Sequence, residues 1–133
     1  MNDFRFKYYM LKNGEIVPTT DSLEFSKWFG DTDQRRVDYT EIIDDVYVST
    51  VCLGIDHNHY GEGPPVIFES MAFGGVGDEK QDRYCTLEEA KAGHKKMVQE
   101  IMDELGVKKC YPRGKKYRSI DSEWKISKEE KND

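Results

Sequence analysis

The chain is expected to fold as one α+β domain: an antiparallel sheet of about four to six strands, one long helix packed on one face, and a short N-terminal helix. Three observations predict this. A capping box opens an amphipathic stretch from Thr86 to Leu105, which is the pattern of a helix with one buried stripe. Runs of β-branched and aromatic residues at 4–11, 37–43, 46–53 and 66–73 read as strands. Between several of them stand turn-forming segments, Asn13-Gly14, Asp44-Asp45 and Gly63-Pro64-Pro65.

The elements follow in order. Phe4, Phe6 and Tyr8 alternate with Arg5, Lys7 and Tyr9, so 4–11 is a strand. Asn13-Gly14 makes a tight turn, and Ile16-Val17 begins a short return strand that Pro18 is expected to stop. Asp21 caps a helix running to Phe29, with Leu23, Phe25, Trp28 and Phe29 as apolar contacts and Gly30 as terminator. A polar stretch, Asp31 to Arg36, precedes a hairpin of Val37–Ile43 and Val46–Leu53; alternation alone leaves open which face of its second strand reaches the core. Val66–Phe73 is apolar on both faces except at Glu69 and Ser70, the pattern of a central strand covered at least in part on both sides. A glycine-rich connection from Gly74 leads to a short edge strand at Arg83-Tyr84-Cys85.

The helix that follows is the clearest element. Thr86 and Glu89 form the capping box, Leu87, Ala90, His94, Met97, Val98, Ile101, Met102 and Leu105 keep the helical period, and Gly106 closes it. At about 100° per residue, His94 falls at the centre of the apolar stripe. Gly93 beside it leaves room for a closely approaching backbone.

At 133 residues with 37% apolar content the chain suits one domain, expected over 1–118, with a weakly ordered tail at 119–133. The net charge of −6 is unevenly spread: residues 1–106 hold 11 basic and 21 acidic side chains, whereas 107–118 hold six basic and no acidic ones. The total argues against a large duplex-binding surface, yet 108–118, with Tyr111 and Tyr117, has the composition of a nucleic-acid contact or of a basic arm neutralising an acidic neighbour. Cys52, Cys85 and Cys110 are odd in number and widely spaced, which reads as reduced thiols rather than a disulfide framework. No run of about 18 apolar residues is present, and Met1-Asn2-Asp3-Phe4-Arg5 lacks the order of a signal peptide; a cytoplasmic protein with no membrane partner is expected.

Candidate chemistry centres on the histidines. His57 and His59 lie in the polar loop from Asp56 to Pro65, and a buried His94 needs partners for its ring nitrogens. Glu69, interrupting a strand face shared with Ile67, Met71 and Phe73, is the carboxylate expected to meet His94 if the helix crosses that face. Three readings compete. His57, His59, His94 and Asp56 or Glu69 are suitable donors for Zn²⁺, although no cofactor is favoured. His94 or His57, tuned by a carboxylate, would serve acid–base chemistry. The structural alternative is a buried His–Glu hydrogen bond holding helix to sheet. Exposed amides around Gly63, with Arg35, Arg36, Asp56, His57 and Arg83, compose a candidate binding site for a small anion.

Four segments taken together resemble a group of small uncharacterised proteins of bacteriophages and bacterial genomes: Asp33-Gln34-Arg35-Arg36-Val37; Val46-Tyr47-Val48-Ser49-Thr50-Val51-Cys52-Leu53-Gly54-Ile55-Asp56-His57; Gly63-Pro64-Pro65-Val66-Ile67-Phe68-Glu69-Ser70-Met71-Ala72-Phe73-Gly74; and Arg83-Tyr84-Cys85-Thr86 through Glu89-Ala90 to Gly93-His94. The similarity spans residues 28–102. In that group the second loop histidine is commonly an aromatic residue, so the resemblance favours His57, Glu69 and His94 over a set containing His59. It implies a phage-related accessory protein in the host cytoplasm and no transferable activity. The leading expectation is therefore a non-enzymatic accessory or regulatory module that binds a protein or a small anion near the Gly-Pro-Pro loop, with self-association compatible. The alternative is a metal-assisted hydrolase using His57, His94 and a carboxylate.

Overall fold

A computed structural model describes residues 8–43, 45–58, 62–74 and 80–108. The expected α+β architecture is present, divided between two antiparallel sheets. A hairpin of β1 (Tyr8–Lys12) and β2 (Glu15–Thr19) precedes α1 (Ser22–Phe29) and the single turn α2 (Thr32–Arg35). The main sheet is a meander in sequence order, β3 (Arg36–Ile43), β4 (Val46–Cys52), β5 (Phe68–Phe73) and β6 (Gln81–Tyr84), followed by α3 (Leu87–Leu105). Residues 4–7 of the first expected strand and the tail 119–133 lie outside the described residues.

Local chemistry explains most boundaries. Asn13 (φ 52°) and Gly14 (φ 80°) both take the left-handed conformation that a two-residue hairpin turn needs. Pro18 does not stop β2; it pairs opposite Tyr9 inside the strand. A strand paired on one side only tolerates proline, because the ring nitrogen costs no ladder bond where it faces outward. Asp21 accepts from the amides of Leu23 and Glu24 at 3.0 and 3.1 Å and starts α1. Phe25 and Trp28, three residues apart, form the buried face of that helix, while Leu23 is 66% exposed and Phe29 42%, against the expectation that all four pack inward. The four residues of α2 were too few to leave a periodic signal in a polar stretch.

The capping box is present in full: Thr86 Oγ1 accepts from Glu89 N at 3.1 Å, and Glu89 Oε1 from Thr86 N at 3.2 Å. Gly106, with φ 73°, ends α3. The helix lies on one face of the main sheet and touches all four strands. The inner face is set by Val46, Val48, Thr50 and Cys52 of β4 and Phe68, Ser70 and Ala72 of β5, all buried. The hairpin and α1 extend the core beyond the N-terminal end of α3; Tyr9 N donates to Gly54 O at 2.9 Å, and Trp28 Nε1 to Leu11 O at 3.0 Å.

The core has two apolar parts. One gathers Met10, Phe25, Trp28, Cys52, Phe68 and Leu87; the other gathers Ile42, Val46, Val48, Met97, Val98 and Ile101. Between them, fully or nearly fully buried, lie Asp38, Thr40, Thr50, Ser70 and His94.

Candidate functional site

This polar layer is built by register. Asp38 pairs with Thr50 across β3 and β4, and Thr50 pairs with Ser70 across β4 and β5, so the three form one row beneath the middle of α3. His94 descends onto it. Its Nδ1 is 2.7 Å from Thr50 Oγ1 and its Nε2 is 2.9 Å from Thr40 Oγ1, while Thr50 Oγ1 and Ser70 Oγ are 2.5 Å apart. Burial pushes the imidazole pKa down to about 3, with the nearby Lys95 charge adding to the effect. A neutral ring has one donor and one acceptor. The hydroxyls therefore align as a chain: either Nε2–H donates to Thr40 while Thr50 donates to Nδ1 and Ser70 to Thr50, or Nδ1–H donates to Thr50, Thr50 to Ser70, and Thr40 to Nε2. Asp38 Oδ1 lies 4.0 Å from Nε2, too far for a hydrogen bond but near enough that an ionised carboxylate favours the Nε2–H form.

Tyr84 of β6, which pairs with Phe68, brings its hydroxyl towards this layer. Its hydroxyl is buried near Ser70 without a well-formed hydrogen bond, and burial raises its pKa. Gly93 makes room for this side chain, since a Cβ there would overlap the Tyr84 ring and hydroxyl. The approach expected of a backbone is thus made by a tyrosine.

The expected contact between His94 and Glu69 is not formed. Strand alternation sends Ser70 inward and Glu69 outward, where Glu69 Oε2 receives Arg83 Nε at 3.0 Å and Gln81 Nε2 at 2.6 Å. The carboxylate nearest His94 is Asp38, which had no distinguishing mark in the sequence beyond being a charge within a strand run.

His57 belongs to a separate construction. Asp56 Oδ1 accepts from Asn58 N at 2.7 Å and from Val66 N at 2.9 Å, and Asn58 Nδ2 donates to the carbonyls of Glu62 and Pro64. The His57 amide donates to Val66 O at 2.9 Å, and its ring Nδ1–H donates to Ile55 O at 2.9 Å. With Gly54 and Gly63 in left-handed conformations, these bonds make a self-braced loop at one end of the sheet. His59 lies outside the described residues. Among the described residues no three His, Cys, Asp or Glu side chains gather closely enough to hold a metal ion, so His57, Glu69 and His94 do not form the metal or acid–base site the sequence suggested. They are divided among a loop, the outer sheet face and the core.

The expected anion clamp is also divided. Arg35 stacks over Phe29 at 4.3 Å, Arg36 lies over Tyr39 at 5.0 Å and 3.8 Å from Asp33, and Arg83 is held by Glu69. Cys52 is buried, its thiol pushed up to about 12 by burial; burial and the carboxylates of Glu89 and Asp56 also raise the Cys85 pKa, so neither thiol has an activated environment. Residues 109–118 of the basic segment, Cys110 included, lie outside the described residues.

The sheet's other face carries a second arrangement, legible only once register is known. Three outward rows cross the strands: Arg36–Val51–Glu69–Arg83, Tyr39–Ser49–Met71–Gln81, and Glu41–Tyr47–Phe73. Tyr39 and Tyr47 stack at 5.1 Å, and Tyr47 and Phe73 at 4.9 Å, so with Arg36 they make a continuous cation–aromatic ridge. The outward side chains of β4 and β5 are half-buried. No helix of the described residues is long and apolar enough to cross a membrane. Comparison with known proteins returned nothing: no family model, curated protein or solved structure matches the chain.

Proposed function

We propose that this protein is a small non-enzymatic binding module, of the accessory kind its resemblance to phage and bacterial proteins implies, and that it recognises a partner protein through the outer face of β3–β6. One observation carries the reading: the outward rows concentrate Tyr39, Tyr47, Phe73, Met71 and Arg36 on a rigid sheet. Aromatic residues, methionine and arginine are the types that dominate the centres of protein interfaces. The edges of this patch are polar, with Glu41, Gln81 and the Glu69–Arg83 pair. The Gly63-Pro64-Pro65 loop borders the row that contains Arg36 and Arg83, which keeps the loop as a flank of the surface rather than its centre.

The sequestration of His94 supports the same reading. A base with no exposed surface, with both nitrogens facing threonine hydroxyls and the neutral form favoured down to about pH 3, has no route to a substrate proton. Affinity capture from a lysate of the producing cells tests the proposal. Wild type and His57→Ala are expected to retain a common partner that Tyr47→Lys and Met71→Lys lose, with all four proteins melting alike. Capture indifferent to the two outer-face substitutions refutes it.

A further inference from the structure

We infer that Asn13 is a site of spontaneous covalent modification, at which the side-chain amide is lost to the backbone of Gly14 and the product unseats the β1–β2 turn. Three observations carry the inference.

The first is the pair itself. A backbone nitrogen attacks the side-chain carbonyl of a preceding asparagine only when it comes close to it, and glycine, with no Cβ, obstructs that approach least. Asn13-Gly14 is the one such pair in the chain. The second is freedom. Both residues are exposed at the tip of the turn, and nothing lies within 4 Å of the place a Gly14 Cβ would occupy. Among the described residues no hydrogen bond holds the Asn13 side chain. Asn58 is the contrast, since its Nδ2 donates to the carbonyls of Glu62 and Pro64 and is braced there.

The third is what secures the turn. Left-handed conformations at both residues restrain the approach of the Gly14 nitrogen, but they are held by a sheet of two strands only, in which β2 pairs with β1 alone. A ribbon of this kind opens locally far more readily than the main sheet.

The step needs water and no other reactant. The Gly14 nitrogen bonds to Cγ of Asn13, the Cγ–Nδ2 bond breaks, and ammonia departs with the proton that the nitrogen carried. Water then opens the cyclic imide. Cleavage at Cγ leaves aspartate; cleavage at the backbone carbonyl leaves isoaspartate, in which the chain runs through Cβ and is one carbon longer. That carbon does not fit a turn of two residues that sets Lys12 opposite Glu15. β1 is anchored independently, by Tyr9 N to Gly54 O at 2.9 Å and Trp28 Nε1 to Leu11 O at 3.0 Å, so the product frees β2 and leaves β1 seated.

Incubation of the full chain at mildly alkaline pH, folded and in guanidinium chloride, tests the modification, with peptide mass spectrometry and chromatographic separation of the two acid products as the readout. Folding is expected to slow conversion at Asn13 by less than about tenfold, because the tip opens locally. A greater slowing, or no conversion in the folded chain, overturns the site. Amide hydrogen exchange of the purified isoaspartate form tests the consequence. Residues 15–17 are expected to exchange several-fold faster than in an Asn13→Asp variant, which has the same charge and an ordinary backbone, while the Tyr9 amide stays as protected as before. Equal exchange over 15–17 in the two proteins, or an equal loss of protection at Tyr9, overturns the selective release of β2.

Discussion

Thr50 Oγ1 stands 2.7 Å from Nδ1 of His94, a buried contact between residues 44 apart in sequence, and it locks α3 to the centre of the sheet. With Thr40 on the other nitrogen, the imidazole is gripped from both sides, and the polar row separates two apolar clusters that would otherwise merge. Such a layer stabilises little in net terms when complete, but it penalises any helix position that leaves its members unpaired.

His94→Ala therefore removes a packed ring and leaves two buried hydroxyls without their partner. A loss of about 1 to 3 kcal/mol is expected in chemical denaturation, with the m-value unchanged. Thr50→Val should cost a comparable amount. An unchanged midpoint for His94→Ala would remove the structural role given to this residue.

The same histidine makes stability depend on pH. Its pKa is lowered from 6.5 to about 3 in the folded protein, so between these values the unfolded chain holds a proton that the folded one lacks. The contribution of the neutral ring is complete above about pH 6.5 and is lost as pH falls towards 3, with a slope of up to about 1.4 kcal/mol per pH unit. Denaturation profiles of wild type and His94→Gln should differ by one proton over this window; parallel profiles would contradict the assignment.

Gly93→Ala sets two effects against each other. Alanine favours an exposed helix by about 1 kcal/mol over glycine, but its methyl would overlap the Tyr84 ring. The overlap is expected to win, lowering stability by roughly 1 to 3 kcal/mol, and Tyr84→Leu in the same chain should recover part of it. A Gly93→Ala protein more stable than wild type would mean that the tyrosine swings aside freely.

The thiols should separate by reactivity. In a Cys110→Ser background, Cys85 is only partly buried and should react with a thiol reagent in the native state, while Cys52, buried with its pKa raised to about 12, should react only on unfolding. Equal rates at the two sites under native conditions would contradict the burial of Cys52.

Much of the architecture was legible in the chain because its causes are local. Thr86, Glu89 and Gly106 specify the ends of α3, the period of Leu87, Ala90, His94, Met97, Val98 and Ile101 specifies its buried stripe, and Asn13-Gly14 specifies the first turn. The burial of His94 was legible for the same reason. The self-braced loop was partly so, through the turn chemistry of Gly63, Pro64 and Pro65, although Asp56 and Asn58 as its braces emerged only from their bonds.

The sequence by itself determined most of the helices and strands and that His94 points into the core, since side-chain size, capping and periodicity act within a few residues of the chain. Tertiary structure alone decided what His94 meets. Alternation leaves both faces of β4 open to the core, and only the cross-strand register places Asp38, Thr50 and Ser70 in one inward row and turns Glu69 outward. The same register assembles Tyr39, Tyr47 and Phe73 into the outer ridge, because a one-residue slip between strands would exchange the two faces while leaving every local preference satisfied.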